Sequence, residues 1–257
     1  FYGISGRGLS QDSTTSTSGK GGMRLNIQQL SVRLETVAGF VPKNARLADI
    51  GSDHAYLPCV LAARDVVSYA LAGEVVKGPF ESAAEQIKTS GVGDRVSARL
   101  GDGMDVIETT DDINVVTICG MGGDLISKIL EKGRLKDKLV GVERLILQPN
   151  NGEKKLREWL IGHQYKIIDE TILEENGKIY EILVAEKAES PENYTDLEYS
   201  FGRFLLQEKN DIFRKKWSAE IDKCQYILDS MQKASNDLNE KEQQVINKIN
   251  EIKEVLK

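Results

Sequence analysis

Four short segments rich in acidic residues and glycine each follow an apolar run in this chain. Asp49-Ile50-Gly51-Ser52-Asp53 ends the first run and Glu74 the second, while Gly101-Asp102-Gly103 and Gly120-Met121-Gly122-Gly123 end the third and fourth. Residues that follow the strands of an open parallel sheet meet at one edge, where such sheets bind their ligands. Carboxylates at that edge tolerate a positively charged sulfonium. The order of the segments therefore predicts a pocket for S-adenosylmethionine and methyl-transfer chemistry.

Individual residues have different expected roles in this pocket. Gly51 lets the backbone approach the ligand closely, and Asp49 can accept hydrogen bonds from the turn or from the ammonium of the methionine portion. Glu74 lies 25 positions after Asp49, a spacing compatible with an acidic residue that binds ribose hydroxyls. Asp102 can accept the adenine amino group. The predicted cofactor-binding residues are Asp49, Gly51, Ser52, His54, Glu74, Val75, Asp102, Gly103, Cys119 and Gly120.

A dinucleotide-binding site and a set of ordinary turns are the alternatives to this interpretation. The segment from Gly51 to Tyr56 lacks the glycines of a GxGxxG fingerprint, and the carboxylate of Asp53 would repel a pyrophosphate, which disfavours NAD. Each segment alone is also compatible with turn chemistry, because Gly and Asp are common in turns. The prediction therefore depends on their combination.

Apolar runs alternate with helical patterns up to about residue 165, which predicts a parallel α/β sheet covered on both faces. The expected strands are Arg46–Ile50, Ser68–Ala72, Val96–Leu100, Val115–Cys119 and Arg144–Gln148. The expected helices are one from Met23 to Val41 and then Leu57–Arg64, Pro79–Ser90, Asp124–Lys132 and Glu153–His163. Two more apolar runs, Lys166–Leu173 and Ile179–Ala185, flank Asn176-Gly177 and predict an antiparallel hairpin. This order is typical of class I methyltransferases with a Rossmann-like sheet.

Long helical patterning follows Glu189-Ser190-Pro191. Apolar residues recur every three or four positions over 206–231 and 238–256, with a polar break at 235–237, which predicts a coiled coil. An antiparallel hairpin within one chain is favoured over a coiled coil between two chains. The protein is therefore predicted to be a monomer. We thus expect a methyltransferase domain at 23–188 and an α-helical coiled coil at 189–257. The Gly/Ser/Thr-rich residues 1–22 resemble an expression-vector remnant.

Composition excludes several classes of protein. The net charge of −6 argues against a uniformly basic nucleic-acid coat, although it permits a local basic patch. No apolar run approaches the roughly 20 residues of a membrane span, so no membrane contact is expected. The three cysteines lie far apart without a CxxC pair, so neither a disulfide framework nor a metal site is expected. A cytoplasmic location fits this cysteine usage.

Several motifs together resemble the bacterial tRNA (adenine-22, N1)-methyltransferase family, often called TrmK. They are Asp49-Ile50-Gly51-Ser52-Asp53-His54-Ala55-Tyr56-Leu57-Pro58, Ala72-Gly73-Glu74-Val75, Gly101-Asp102-Gly103, Cys119-Gly120-Met121-Gly122-Gly123, Leu147-Gln148-Pro149-Asn150 and Lys178-Ile179-Tyr180-Glu181-Ile182. The resemblance implies S-adenosylmethionine as donor, tRNA as substrate and N1 of an adenine in the D-loop region as acceptor. It also implies a coiled-coil appendage that helps grip tRNA, and a cofactor pocket containing Asp49, Gly51, Glu74 and Asp102.

Adenine N1 is already nucleophilic, so such an enzyme would chiefly align the reactants and exclude water. An acceptor for the exocyclic amino hydrogens would raise the electron density at N1 and stabilise the cationic product. The predicted catalytic residues are Asp53, Gly120, Met121, Gly122 and Asn150, and the main acceptor among them is left open. The predicted tRNA contacts, on the rim and the helical arm, are Arg24, Arg33, Lys154, Lys155, Arg157, Arg214, Lys215 and Lys216.

Two other functions stay open at this point. A class I methyltransferase that acts on a protein or a small molecule would suit the acidic net charge. A nucleotide-binding module without catalysis could instead use the coiled coil to recruit a partner.

Overall fold

Seven strands form one sheet in the computed structural model, which describes residues 29–234 and 239–257. They are β1 Ala45–Ile50, β2 Val67–Glu74, β3 Val96–Leu100, β4 Val115–Met121, β5 Arg144–Pro149, β6 Tyr165–Glu175 and β7 Lys178–Lys187. Their order across the sheet is β3-β2-β1-β4-β5-β7-β6. The first five strands run parallel, and β7 pairs antiparallel with both β5 and β6. The predicted parallel sheet with a terminal hairpin is confirmed.

The helices of this part of the chain cover both faces of the sheet. They are α1 Val32–Gly39, α2 Tyr56–Ala63, α3 Lys77–Thr89, α4 Gly123–Leu135 and α5 Glu153–Gly162. Side chains alternate along a strand, so Leu47 of β1 packs in one core with Leu61, while Ala48 packs in the other with Ile126 and Leu160. Because both faces are buried, the parallel strands are almost continuously apolar.

The hairpin turn follows from its two central residues. Asn176 and Gly177 have φ of 52° and 75°, the positive values that a type I′ turn requires. The first helix begins later than expected, at Val32, because Ser31 Oγ accepts the amide of Leu34 at 3.2 Å and ends the non-helical segment before it. Residues 23–28 of the predicted helix, and residues 1–22, lie outside the described residues.

Four more helices, α6 Asp196–Phe201, α7 Arg203–Glu208, α8 Asp211–Ala234 and α9 Glu240–Leu256, complete the fold. The predicted start of the long helix at Leu206 is wrong, because Lys209 adopts a left-handed φ of 42° and interrupts the helix there. Asn210 then caps the new helix, its Oδ1 accepting the amide of Phe213 at 2.9 Å.

Helices α8 and α9, here called the helical arm, pack against each other in opposite directions. Arg214 near the start of α8 donates to the carbonyl of Leu256 at the end of α9, at 2.9 Å. Further along, Lys248 pairs with Glu220 at 2.6 Å, and Leu228 packs in one apolar cluster with Ile249. The supercoil, the division into two domains and the monomeric state stay predictions, and the break at 235–237 lies outside the described residues.

Candidate active site

The polar ends of β1 and β4 meet at a buried carboxylate. Asp49 is 3% exposed, and it accepts hydrogen bonds from Ser52 Oγ and Thr117 Oγ1, both at 2.6 Å. Burial raises the pKa of Asp49 above its usual value of 3.8, although both hydroxyls oppose the shift. The charge of Arg33 in the same cavity also lowers this pKa, but within the described residues no cation lies at ion-pair distance from the carboxyl. A cationic ligand would therefore relieve the cost of its ionisation.

Glu74 at the end of β2 is a second buried acid in the same region. It is 6% exposed and accepts the backbone N–H of Asp53 at 2.6 Å. Burial raises its pKa, and the nearby Asp49 and Asp53 act in the same direction. The turn after β1 is thus held by hydrogen bonds to two acids, Asp49 and Glu74. Both lie buried at the same edge of the sheet.

The turn itself contains three consecutive non-glycine residues in the left-handed region. Asp53, His54 and Ala55 have φ of 49°, 64° and 56°, each of which costs on the order of 1–2 kcal/mol for an L-residue. Gly51 before them has φ of 69°, and a Cβ there would lie 2.2 Å from Met121 Cε. Strain of this kind persists where the surroundings over-determine the backbone, and it is typical of ligand sites.

A cavity of about 600 Å³ lies between this turn, the start of α1 and the ends of β4 and β5. It brings together nine of the predicted residues, namely Arg33, Asp49, Gly51, Ser52, Asp53, Cys119, Gly120, Met121 and Asn150. Residues not predicted as site members also line it, and they are Gln29, Leu30, Ser31, Leu34, Tyr56 and Tyr180.

The other predicted site residues surround this cavity without lining it. Val75 is 64% exposed just beyond β2, and the exposed Asp102 forms an ion pair with Lys132. His54 stacks on Tyr56 with ring centroids 5.4 Å apart. Together with Glu74, Gly103 and Gly122, these residues extend the site along the carboxyl ends of β2, β3 and β4.

A hydrogen-bonded network around Gln148 lies behind one wall of the cavity and holds two of its lining residues, Gly120 and Asn150. The buried Gln148 accepts at Oε1 from the amide of Gly120, at 2.9 Å, and from Arg33 Nη1. Its Nε2 donates to Asn150 Oδ1 at 3.1 Å, and Asn150 Nδ2 donates to the carbonyl of Gly120 at 2.9 Å. This closed ring holds the Gly120 carbonyl and the Asn150 amide side by side.

A family model described as tRNA (adenine(22)-N(1))-methyltransferase, TrmK, matches residues 47–254. The chain belongs to this family. A tRNA (adenine(22)-N(1))-methyltransferase of Bacillus subtilis strain 168 is 46% identical over 91% of this chain and 98% of the relative. The family resemblance that the sequence motifs indicated is therefore confirmed.

Two solved structures of high similarity carry ligands. A Streptococcus pneumoniae protein in complex with S-adenosyl-L-methionine is 45% identical, with a TM-score of 0.82 over 89% of this chain and 100% of that one. The TrmK of M. capricolum, in complex with S-adenosyl-homocysteine, is 28% identical, with a TM-score of 0.77 over 90% of this chain and 100% of that one.

Two side chains in this TrmK site escaped the sequence interpretation. Thr117 stands in an apolar strand, and its hydroxyl contacts Asp49; a polar residue inside the run 115–119 was the available signal. Gln148 stands in one of the family motifs without a predicted role, and in the structure it is buried at the centre of the network. Cys119 lines the cavity, but burial raises the pKa of its thiol, so it stays protonated at neutral pH.

The predicted tRNA contacts of this TrmK member fall into three groups. Arg157 is 0% exposed and lies against Glu170 and Glu181 at 2.7 and 2.6 Å, so its predicted place on the rim is wrong. Lys216 is partly buried, with 23% of its side chain exposed, and already pairs with two carboxylates, and Arg33 lines the cavity. Lys154, Lys155, Arg214 and Lys215 are exposed as predicted, and Arg24 lies outside the described residues.

None of the described helices is long and apolar enough to cross a membrane. Within residues 29–234 and 239–257, no group of three or more His, Cys, Asp or Glu side chains is arranged to hold a metal ion.

Proposed function

We propose that this chain transfers a methyl group from S-adenosyl-L-methionine to N1 of adenine 22 in the D-loop region of bacterial tRNA. The observation that carries the proposal is one cavity lined both by the buried acid Asp49 and by Gly120 and Asn150, which hydrogen bonds to the buried Gln148 hold together. The Bacillus subtilis relative bears the name of this activity, and the Streptococcus pneumoniae structure contains this methyl donor.

The residues present fit a cationic donor. Burial of Asp49 and Glu74 raises both pKa values, which favours a ligand that brings positive charge. Asp49, Gly51 and Ser52 would hold its methionine portion, with Cys119 and Gly120 opposite and His54 beside them. Glu74 and Val75 would contact the ribose, and Asp102 and Gly103 the adenine. When bound, the donor supplies an electrophilic methyl group on a sulfonium.

The chain itself aligns the target adenine and accepts its amino hydrogens. Asn150 Oδ1 and the carbonyl of Gly120 each keep one lone pair free after the bonds of the ring, and they lie next to each other at the cavity. Each can accept one hydrogen of the exocyclic amino group, which raises the electron density at N1. The Asp53 side chain is 84% exposed, so it is the weaker candidate of the three.

Water has to be kept from the reacting atoms, and a planar ring has to be held. Tyr56 and Tyr180 line the cavity, and the Arg33 guanidinium lies over the Tyr180 ring at 5.6 Å from its centroid. Met121 completes the wall on the β4 side, and Gly122 follows it in the chain just outside the cavity. An adenine of folded tRNA must leave its stack to enter a cavity of this shape.

Affinity for the donor is expected to fall as the pH is lowered through the raised pKa of Asp49. A cation favours the ionised form of Asp49, so binding must release a proton once the pH approaches the raised pKa, above the usual 3.8. For one group the affinity then drops about tenfold per pH unit. Calorimetry in two buffers of different ionisation enthalpy measures the released proton, and Asp49→Asn is expected to abolish the release.

The stability of the ligand-free protein is expected to change with pH in the direction opposite to the donor affinity. Acids with a raised folded-state pKa contribute stability that is fully present below their unfolded pKa and is lost as the pH rises through the folded value. Asp49→Asn should therefore stabilise the ligand-free chain near neutral pH in thermal melts. A pH-independent affinity for the donor in the wild type would contradict this account.

Binding of tRNA is expected to weaken steeply with salt. Lys154, Lys155, Arg214 and Lys215 are the exposed cations that we assign to phosphate contacts, although Lys155 and Lys215 also pair with Asp124 and Glu174. Neutralising all four should reduce the slope of log affinity against log salt by about 0.7–0.9 per lost contact. Filter binding at several salt concentrations measures the slope, and an unchanged slope would remove these residues from the interface.

The proposed function is tested by transfer of labelled methyl groups to unmodified tRNA, followed by nucleoside analysis. We expect N1-methyladenosine, and we expect none when the target adenine is replaced by guanine. Label in a protein or a small molecule instead would support the second candidate, a methyltransferase with another acceptor. A cytoplasmic, monomeric enzyme without a metal is part of the proposal.

A further inference from the structure

A cluster of buried charges joins the helical arm to the sheet. Arg157 of α5 lies between Glu170 of β6 and Glu181 of β7, and all three side chains are 0–1% exposed. Lys216 of α8 reaches the same Glu181 at 2.7 Å and also Glu153 at 3.0 Å. Although burial opposes ionisation, Arg157 and Lys216 hold the pKa of Glu181 below its usual range. Arg157, Glu181 and Lys216 are therefore charged at neutral pH, whereas burial raises the pKa of Glu170.

Both carboxylates that bind Lys216 are close in sequence to residues of the cavity. Glu181 directly follows Tyr180, whose ring lines the cavity wall. Glu153 begins α5, three positions after Asn150, which takes part in the ring with Gln148 and Gly120. One ammonium thus ties the ends of two segments that shape the reaction cavity.

The same ammonium belongs to the arm. Lys216 lies in the second turn of α8, whose 24 residues extend about 36 Å at 1.5 Å per residue. A small rotation at this base would displace the far end of α8 by several ångströms. The exposed Arg214 and Lys215 lie next to Lys216 on this helix.

We infer that Lys216 is a positioning residue for methyl transfer. It fixes the positions of Asn150 and Tyr180 relative to the helical arm. The inference rests on the proposed function, since it concerns how a tRNA held by the arm presents its adenine to the cavity. Because Lys216 does not line the cavity, it acts through Glu153 and Glu181.

The test is steady-state kinetics of the full-length Lys216→Met variant with unmodified tRNA, with rates expressed per donor-binding site counted by calorimetry. Since a displacement of about 1 Å can cost on the order of 100-fold, we expect kcat to fall at least tenfold. The Kd for S-adenosyl-L-methionine should stay within about twofold, because Asp49 and Glu74 are untouched. Lys216→Arg, which keeps the charge, should recover part of kcat.

Arg144→Met is the matched control. Arg144 is 25% exposed against 23% for Lys216, and it pairs with Glu186 at 2.7 Å at the opposite end of the sheet. Its loss should lower the melting temperature by a similar amount and leave kcat per site unchanged. A merely structural role for Lys216 would give this same result and would overturn the inference.

A second variant keeps the test decisive if Lys216→Met does not fold. Glu153→Gln weakens only the link to the loop of Asn150 and leaves the pair of Lys216 with Glu181 in place. We expect kcat to fall about threefold or more. An unchanged kcat would overturn this inference but not the proposed function. A wild-type chain that methylates no tRNA would overturn the proposed function together with it.

Discussion

Replacement of Asn150 by alanine is expected to lower kcat for tRNA methylation by about 10²–10³-fold, the effect of removing one preorganised group that stabilises developing charge. The Asn150 amide both accepts from Gln148 and donates to the carbonyl of Gly120. Its loss removes one acceptor for the adenine amino group and frees the other from its position. Single-turnover rates with saturating tRNA and donor measure the effect on chemistry.

The neighbouring Asn151→Ala provides the control for this prediction. Asn151 is exposed, and its main contribution near the site is its backbone carbonyl, which accepts the amide of Gly123 at 2.7 Å and survives the substitution. We expect this variant to stay within about threefold of the wild-type rate. A fall in donor affinity that parallels the loss of rate in Asn150→Ala would assign Asn150 to cofactor binding instead.

Replacement of Gly123 by alanine is expected to destabilise the protein by about 3 kcal/mol or more. A Cβ at this position would lie 2.2 Å from the carbonyl oxygen of Gly152 and 2.9 Å from that of Asn151. These are backbone atoms of the loop between β5 and α5, so no side chain can rotate away. Urea unfolding followed by circular dichroism measures the loss, and donor binding should weaken with it.

Gly78→Ala is the matched control for Gly123→Ala. Gly78 lies in helix α3, has no heavy atom within 4 Å of an added Cβ, and keeps an ordinary φ. Alanine is therefore expected to stabilise this helix by roughly 0.4–1 kcal/mol. Equal unfolding midpoints for the two variants would show that the loops of Gly123 and Gly152 separate at little cost.

Local patterns were sufficient for the sheet and its hairpin. Each predicted strand is present, with ends that differ by at most two residues, because apolar runs of that length bury both faces of a parallel strand. Asn176 and Gly177 predicted the hairpin turn, because both residue types readily adopt the positive φ that a type I′ turn requires. The α8 start was missed, because Leu206 continues the helical spacing while Lys209 interrupts the backbone.

Charge was the property that local patterns predicted least well. Arg157 resembles any surface arginine of an amphipathic helix, yet it is fully buried and pairs with Glu170 and Glu181, which lie 13 and 24 positions away. Removing one member of such a buried pair costs about 3–5 kcal/mol, so its environment is as important as a core contact. Lys216 is likewise predicted as a tRNA contact, and in the structure it pairs with two carboxylates.

The order of residue types along the chain by itself determined the fold class, the family and the acidic edge of the sheet, because strand ends that are consecutive in sequence converge in a parallel sheet. Only the tertiary structure decided which of those groups face one cavity, that Gln148 binds both Asn150 and Gly120, and which cations are buried. Contacts between residues that are far apart in the sequence depend on how the helices and strands pack. The spacing of residues within one segment does not contain that information.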